Sequence, residues 1–384
     1  MDLRTDDKHS DLREAVAALC ADFPGSYWQQ LEPDGYPTDF VETLTKNGWL
    51  SILIPQEFGG GGASLTEASI VLEEISASGG NPSACHAQMY VMGTLLRHGS
   101  AEQKSKYLSK IASGELRLQA FGVTEPDAGS ETTKIRTRAQ RVSEGWKING
   151  QKIWTSRALH SDLMILLART TPFDEVEKPS EGMSVFIFDM RDLPGLTIKP
   201  IRTMMNHNTT EVFFEDVIIP ADSLIGEEGN GFKYILDGMN AERILISAEC
   251  IGDGRFFLDR AVSYANSREV FGKAIGTNQG VQFPLAAAYM QLRAADLVRF
   301  DAAARYDRGE DCGAQANQAK YLCASASWAA GNAAIDTFGG YGFAQEYDIE
   351  RKFRETRLYQ VAPINNNLVL AHVANHVLGL PKSY

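Results

Sequence analysis

A chain of 384 residues, 44% hydrophobic and 22% charged, has an ordinary globular balance and the length for two or three domains or one large composite one. Its net charge of −12 argues against general binding to nucleic-acid backbones, which needs clustered Lys and Arg, but leaves room for a local basic pocket for one anion. No apolar run of about 18 residues occurs, so no membrane-spanning helix is expected. The five cysteines (Cys20, Cys85, Cys250, Cys312, Cys323) lack CxxC spacing, and the histidines form no HExxH or HxH pattern. Neither a disulfide framework nor a metal site is expected, and the chain reads as a reduced, cytoplasmic protein. The start, Met1-Asp2-Leu3-Arg4-Thr5-Asp6-Asp7, is polar and lacks the apolar core of a signal peptide, and the final Pro381-Lys382-Ser383-Tyr384 is no clear targeting tag.

Residues 1–120 read as a helical domain. Leu12, Val16 and Leu19 recur at helical spacing, Phe40, Leu44 and Leu50 more loosely, and residues 59–62 interrupt with four glycines. Helical patterning resumes over 65–75 and 84–96, and Ser100 with Gln103 forms a capping-box signal. From 121 to 228 the pattern becomes that of a small all-β domain, a barrel or sandwich. Residues 146–154 read as a hairpin turning at Asn149-Gly150, and β-rich runs follow at 163–168, 183–188, 196–201 and 212–219. From 229 to 384 the chain is helical again, with segments near 232–265, 279–308, 313–338 and 347–380 sufficient for a bundle of four or five helices. The class is α+β.

Glu242 stands out on physical grounds. Phe232, Ile235, Leu236, Met239 and Ile246 form an apolar helical stripe, and Glu242 falls on it. A buried carboxylate is expensive, and desolvation alone raises its pKa. One reading is a structural ion pair, with Arg243 or another buried cation. The other is a base poised in an apolar cleft to remove a proton beside a thioester.

Two segments carry a more specific signal. Phe121-Gly122-Val123-Thr124-Glu125-Pro126-Asp127-Ala128-Gly129-Ser130 supplies small residues and hydroxyls at a turn. Asn149-Gly150-Gln151-Lys152-Ile153-Trp154-Thr155-Ser156 ends on a large flat side chain. By themselves they read as a Ser/Thr-rich turn and a core tryptophan. Their order and spacing resemble the flavin-cradling segments of the acyl-CoA dehydrogenase family, and the resemblance extends over essentially the whole chain. It implies an N-terminal helical domain, a middle β domain, a C-terminal helical bundle and FAD as cofactor. Thr124, Ser130, Trp154, Thr155 and Ser156 would meet the flavin and its pyrophosphate, with Ser130 also near substrate. Relatives usually read Trp-Ile-Thr-Asn where this chain has Trp154-Thr155-Ser156-Arg157, so Arg157 departs from the pattern and would line either the acyl pocket or the acceptor surface.

Further on, Arg268, Phe271 and Gln279 resemble the family's Arg-x-x-Phe-Gly segment, which reaches a neighbouring subunit's FAD. Gly339 and Gly340 in Thr337-Phe338-Gly339-Gly340-Tyr341-Gly342-Phe343 match the late glycine turn, and Asn365 lies in the last FAD-contacting stretch. Ala241-Glu242-Arg243-Ile244-Leu245 resembles the segment that bears the catalytic Glu in the isovaleryl-CoA and long-chain branches, with Arg243 a CoA contact. Other branches carry their base later, in Tyr-Glu-Gly-Thr. The matching stretch here is Tyr359-Gln360-Val361-Ala362-Pro363-Ile364-Asn365, with Pro363 at the base position. Relatives use the backbone N–H there to polarise the thioester, and proline has none. Either Ile364 supplies that donor or carbonyl activation is weaker.

The resemblance thus implies α,β-dehydrogenation of an acyl-CoA, Glu242 as base, hydride transfer to flavin N5, an electron-transfer flavoprotein as acceptor and a homotetramer or homodimer. The alternative is a diverged or non-catalytic member of the fold: a partner subunit of a heteromeric dehydrogenase, a carrier-protein thioester dehydrogenase, or a desulfinase or oxidase.

Overall fold

The computed structural model describes residues 8–382; the polar start Met1-Asp2-Leu3-Arg4-Thr5-Asp6-Asp7 and the final Ser383 and Tyr384 lie outside the described residues. Six helices come first: α1 (Ser10–Cys20), α2 (Gly25–Gln30), α3 (Thr38–Lys46), α4 (Leu65–Ala77), α5 (Ser83–His98) and α6 (Ala101–Ser113). Eight strands follow: β1 (Leu118–Gly122), β2 (Arg138–Val142), β3 (Gly145–Ser156), β4 (Leu163–Arg169), β5 (Met183–Asp189), β6 (Leu196–Pro200), β7 (Thr209–Ile219) and β8 (Leu224–Ile225). Then come α7 (Gly231–Ser267), α8 (Gln279–Asp307), α9 (Gly313–Phe338), α10 (Ile349–Arg357) and α11 (Asn366–His372). The segment expected as helical over 347–380 is thus divided: residues 358–365, which begin with a single 3-10 turn over Leu358–Gln360, separate α10 from α11, and Pro363 within them has no N–H for a helical hydrogen bond.

The chain divides into two compact units. One holds Pro33–Ala63 and Ser83–Met239; the other holds the residues up to Glu32, Ser64–Pro82 and the chain from Asn240 onward. The first is built on a mixed sheet in the order β6-β7-β3-β2-β4-β5-β8, with β1 parallel to β4. β4 is buried along its whole length. Its alternate residues serve two apolar layers, as the two-residue period of a strand requires. Leu163, Ile165 and Leu167 pack with Val91 and Leu95 of α5 and Leu108 and Ile111 of α6. Met164, Leu166 and Ala168 pack with Trp146, Phe186, Val212 and Phe214. The Ser100–Gln103 capping box that starts α6 is present in both directions.

The expected hairpin at Asn149-Gly150 is not there. β3 runs straight through both residues, and the hairpin turns earlier, where Val142 of β2 pairs with Gly145. Gly150 is required for another reason: at φ 146° it lies so close to Thr137 that a Cβ would sit 2.6 Å from its Oγ1. Opposite Asn149, β7 carries an extra residue, with Asp216 at φ 50°. Asn149 Oδ1 accepts from the Asp216 N–H and its Nδ2 donates to Asp216 Oδ1, each at 2.9 Å, so the side chain fills the bulge rather than making a turn.

In the second unit, helices α7, α8, α9 and α10 enclose a core that includes Phe256, Phe257, Leu292, Cys323, Ala330 and Ile349. A charge cluster is buried beside it. Glu73 of α4 receives Arg13 of α1 at 2.9 Å, Arg255 of α7 at 2.5 Å and Arg299 of α8 at 2.8 Å. Glu74 and Asp296 bring the carboxylates to three against three guanidinium groups. A second cluster joins Lys352 to Asp253 at 2.6 Å and to Glu355 at 2.9 Å, and Arg351 to Asp348 and Glu355.

Burial alone would push the Glu73 carboxyl up, but the three arginines overcome it and hold it at about 2 against an ordinary 4.5. Its contribution to stability is therefore present above about pH 4.5 and lost as pH falls toward 2. Glu73→Gln leaves three buried guanidinium groups against two carboxylates and is expected to lower the unfolding free energy by about 3–5 kcal/mol in urea titrations at neutral pH. It should also flatten the acid-side fall in stability between pH 4.5 and 2.

Candidate functional site

In the sheet-bearing unit, the predicted residues gather where β1 runs into a turn beside the end of β3. Glu125 and Ala128 exchange backbone hydrogen bonds across the turn, and the Ile153 N–H donates to the Thr124 carbonyl at 3.0 Å. The turn is stapled from below by Lys152. Its fully buried ammonium donates to the Val123 carbonyl at 2.9 Å and to Glu125 Oε1 at 2.7 Å. Glu125 also accepts from the Thr137 and Arg136 N–H groups, at 2.9 and 2.6 Å. Burial pushes Lys152 down to about 8, against the pull of Glu125; burial pushes Glu125 up, but Lys152 and the N–H donors bring it below its ordinary value. Sequence reasoning gave Lys152 and Glu125 no role, although both lie in the motifs that suggested a site.

Trp154 occupies a second bulge. Between the pairs Lys152–Val212 and Thr155–Thr210, β3 has one residue more than β7, and Trp154 takes φ 60°. A left-handed bulky residue is strained, and its indole remains 57% exposed. Thr155 points inward; its Oγ1 is buried with no hydrogen-bond partner among the described residues, while its carbonyl accepts from Thr210 Oγ1 at 2.6 Å. Ser156 is half-buried at the strand end, Thr124 is half-buried and Ser130 is exposed. Arg157 is buried and left-handed at φ 58°; its Nη2 lies 3.3 Å from His207 Nδ1. Burial, then Arg157 and His86, hold His207 well below its ordinary value, so the ring is neutral and can accept from the guanidinium.

In the helical unit, Glu242 is 5% exposed on α7, on the same helical face as Ile235 and Ile246; Leu236, expected on that stripe, is instead half exposed. Arg243 donates to Asn240 Oδ1 at 3.0 Å. Burial lowers its pKa and Glu242 opposes that. Arg268 ends the α7 region, over the Tyr341 ring at 5.8 Å. Next, a two-residue turn joins Val270 to Lys273, with Phe271 at φ 53° and Gly272 at φ 76°. Both positive φ values fit a type I′ hairpin turn, and here the first position holds a phenylalanine that is 98% exposed. Gln279 is exposed at the start of α8. Gly339 has φ 59°, and a Cβ at Gly339 or Gly340 would meet nothing within 4 Å, so the backbone there is open to an approaching group. The Asn365 side chain caps α11, accepting from the Leu368 N–H at 2.9 Å.

In the sheet-bearing unit by itself, an aromatic ring held in the open at energetic cost and an inward hydroxyl without a partner among the described residues suit a flat cofactor. In the helical unit by itself, the glycine pair leaves its N–H groups approachable to a phosphate, and the Phe271 ring stands in the open.

Comparison with known proteins agrees. The N-terminal, middle and C-terminal domain models of acyl-CoA dehydrogenase match residues 6–115, 120–217 and 229–378. Acyl-CoA dehydrogenase FadE12 of Mycobacterium tuberculosis (strain ATCC 25618 / H37Rv) is 36% identical over 379 residues, covering 97% of this chain and 96% of that protein. The glutaryl-coenzyme A dehydrogenase structure in complex with glutaryl-CoA is 30% identical with a TM-score of 0.90, covering 100% of this chain and 98% of that one. The FAD complex of PigA is 27% identical with a TM-score of 0.90, covering 99% and 100%. The chain belongs to the acyl-CoA dehydrogenase family, whose members are FAD-dependent oxidoreductases.

Proposed function

We propose that this acyl-CoA dehydrogenase removes the α-proton of an acyl-CoA thioester with the carboxylate of Glu242 and yields the trans-2-enoyl thioester. The observation that carries the assignment is Glu242 itself, a carboxylate 5% exposed on α7 with Arg243 beside it. Burial removes the water that would otherwise solvate the carboxylate, and the adjacent guanidinium favours its ionised, proton-accepting form. FAD, when bound, supplies the acceptor for the β-hydrogen as hydride. Thr124, Ser130, Trp154, Thr155 and Ser156 hold its ring and nearer phosphate, Gly339, Gly340 and Asn365 meet more of it, and Arg268, Phe271 and Gln279 reach the FAD of a neighbouring subunit. Arg243 and Ser130 meet the substrate.

The domains of this reading are residues 1–120, 121–228 and 229–384. It makes the enzyme a cytoplasmic homotetramer or homodimer that passes electrons to an electron-transfer flavoprotein. Five buried free cysteines support a reducing compartment. No helix among the described residues is long and apolar enough to cross a membrane. Phe283, Met290 and Leu297, seven residues apart on α8 and each about 60% exposed, support burial of that helix against another copy. Pro363 favours the second reading, a diverged enzyme of the fold that takes a carrier-bound thioester or runs a desulfination or oxidation.

Anaerobic titration with straight, branched and cyclic acyl-CoAs tests the two. Bleaching of the visible flavin band by one class establishes dehydrogenation and substrate class together; a yellow protein that none of them bleaches favours the diverged enzyme. Glu242→Gln is expected to keep FAD bound and to slow bleaching by about 10²- to 10⁴-fold. Survival of the wild-type rate rejects the base assignment. Trp154→Ala is expected to leave the stability of the cofactor-free protein within about 0.5 kcal/mol, because the indole is exposed. Fluorimetric titration should show FAD binding weakened by about 0.5–1.5 kcal/mol, the worth of an aromatic stacking contact.

A further inference from the structure

Lys320 lies within α9 and is fully buried. Its Nζ donates to Asn366 Oδ1 at 2.8 Å. Asn366 Nδ2 donates to Gln360 Oε1 at 2.8 Å, and Gln360 Nε2 donates to the Ala324 carbonyl at 2.7 Å. Ala324 is one turn beyond Lys320 on α9, so the three bonds form a closed clamp that begins and ends on one helix. Held inside it are residues 360–366, the stretch that carries Pro363.

The same ammonium lies within electrostatic reach of Glu242, Arg243 and Cys250, all on α7. Burial pushes Lys320 down to about 8, while Cys250 and Glu242 pull it up, so the side chain is still cationic at neutral pH. Two buried carboxylates of α7, Glu249 and Asp253, also face Cys250, and Asp253 is paired with Lys352 at 2.6 Å. Burial raises the thiols of Cys250 and of Cys312, which faces Arg243. Burial also lowers His372 of α11, which faces Arg243 as well. Glu242 interacts with the charges of both Arg243 and Lys320, and of these two only Lys320 also grips the segment that replaces the alternative base.

We propose that Lys320 is a positioning residue for α-proton removal: through Asn366 and Gln360 it clamps residues 360–366 onto α9, and its buried charge keeps the Glu242 carboxylate in the form that accepts a proton. The proposal rests on Glu242 being the base. A solely structural lysine would hold the same hydrogen bonds, and its loss would lower the rate evenly at all pH values. An electrostatic partner, once lost, lets the carboxylate protonate at higher pH, which moves the acid limb of the rate profile.

The test is the pH profile of anaerobic flavin reduction in the holoenzyme, with the acyl-CoA that bleaches the flavin fastest as probe and retention of the flavin band as the check on folding. Lys320→Met is expected to move the acid limb up by about one pH unit, so that the rate falls about tenfold below the limb and recovers above it. Lys320→Arg, which keeps the charge, should leave the limb in place. Asn366→Asp sets a carboxylate against Lys320 and should move the limb in the same direction as Lys320→Met, which keeps the test decisive where Lys320→Met fails to fold. If Glu242→Gln is inactive and the limbs of Lys320→Met and Asn366→Asp stay at the wild-type pH, the role of Lys320 is overturned alone. If Glu242→Gln reduces flavin at the wild-type rate, the base assignment is overturned, and this role with it.

Discussion

A carboxylate removed from water must be met by positive charge, and in the helical unit that requirement falls on Glu73. Its two oxygens gather guanidinium groups from α1, α7 and α8, so one side chain on α4 fixes three other helices. The effect on function is indirect. Arg255 anchors α7 thirteen residues from Glu242, roughly 20 Å along a helix that rises 1.5 Å per residue. A helix held at that point has little freedom to rotate the Glu242 face outward. The cluster is a poor source of net stability, since apolar residues of similar volume could fill the same space at no desolvation cost. It does define which helices meet and in what rotation.

Elsewhere the chain spends conformational energy to hold aromatic rings away from its own core. Trp154 takes a left-handed backbone in a bulge of β3, and Phe271 takes one at a hairpin position that glycine or asparagine would fill more easily. Neither ring gains by it within the chain, because both remain largely exposed. The staple beneath the first bulge has the opposite character. Lys152 and Glu125 are buried and mutually satisfied, and they give the strained stretch a rigid base.

Much of this was legible in the sequence wherever the signal is local. Helices α4, α5 and α6 follow from apolar periodicity and a capping box, and β4, β5 and β7 from short β-rich runs. Glu242 was visible because a charge on an apolar stripe breaks a repeat. Asn149-Gly150 does not turn because its place is set by the partner strand β7, which no local dipeptide signal contains. The extra residue at Asp216 that Asn149 serves lies 67 positions away in the chain. Leu236 was placed on the stripe by spacing, but the tertiary environment decided how wide that stripe is. Lys152 and Lys320 escaped notice for a related reason. A lysine is ordinarily a solvated residue, and here its burial depends on partners 27 and 46 positions away.

The cysteines also bear on chemical self-protection. All five are free and buried, and burial raises the thiols of Cys20 (to about 11), Cys250, Cys312 and Cys323, so almost none of these four is thiolate at neutral pH. An α,β-unsaturated thioester, the product proposed for this enzyme, is an electrophile that thiolates attack at the β-carbon. A catalyst that releases such a compound at every turnover is exposed to alkylation by its own product. Keeping these sulfurs protonated and out of solvent removes the nucleophile, so the packing that stabilises the core also makes the enzyme tolerant of what it makes.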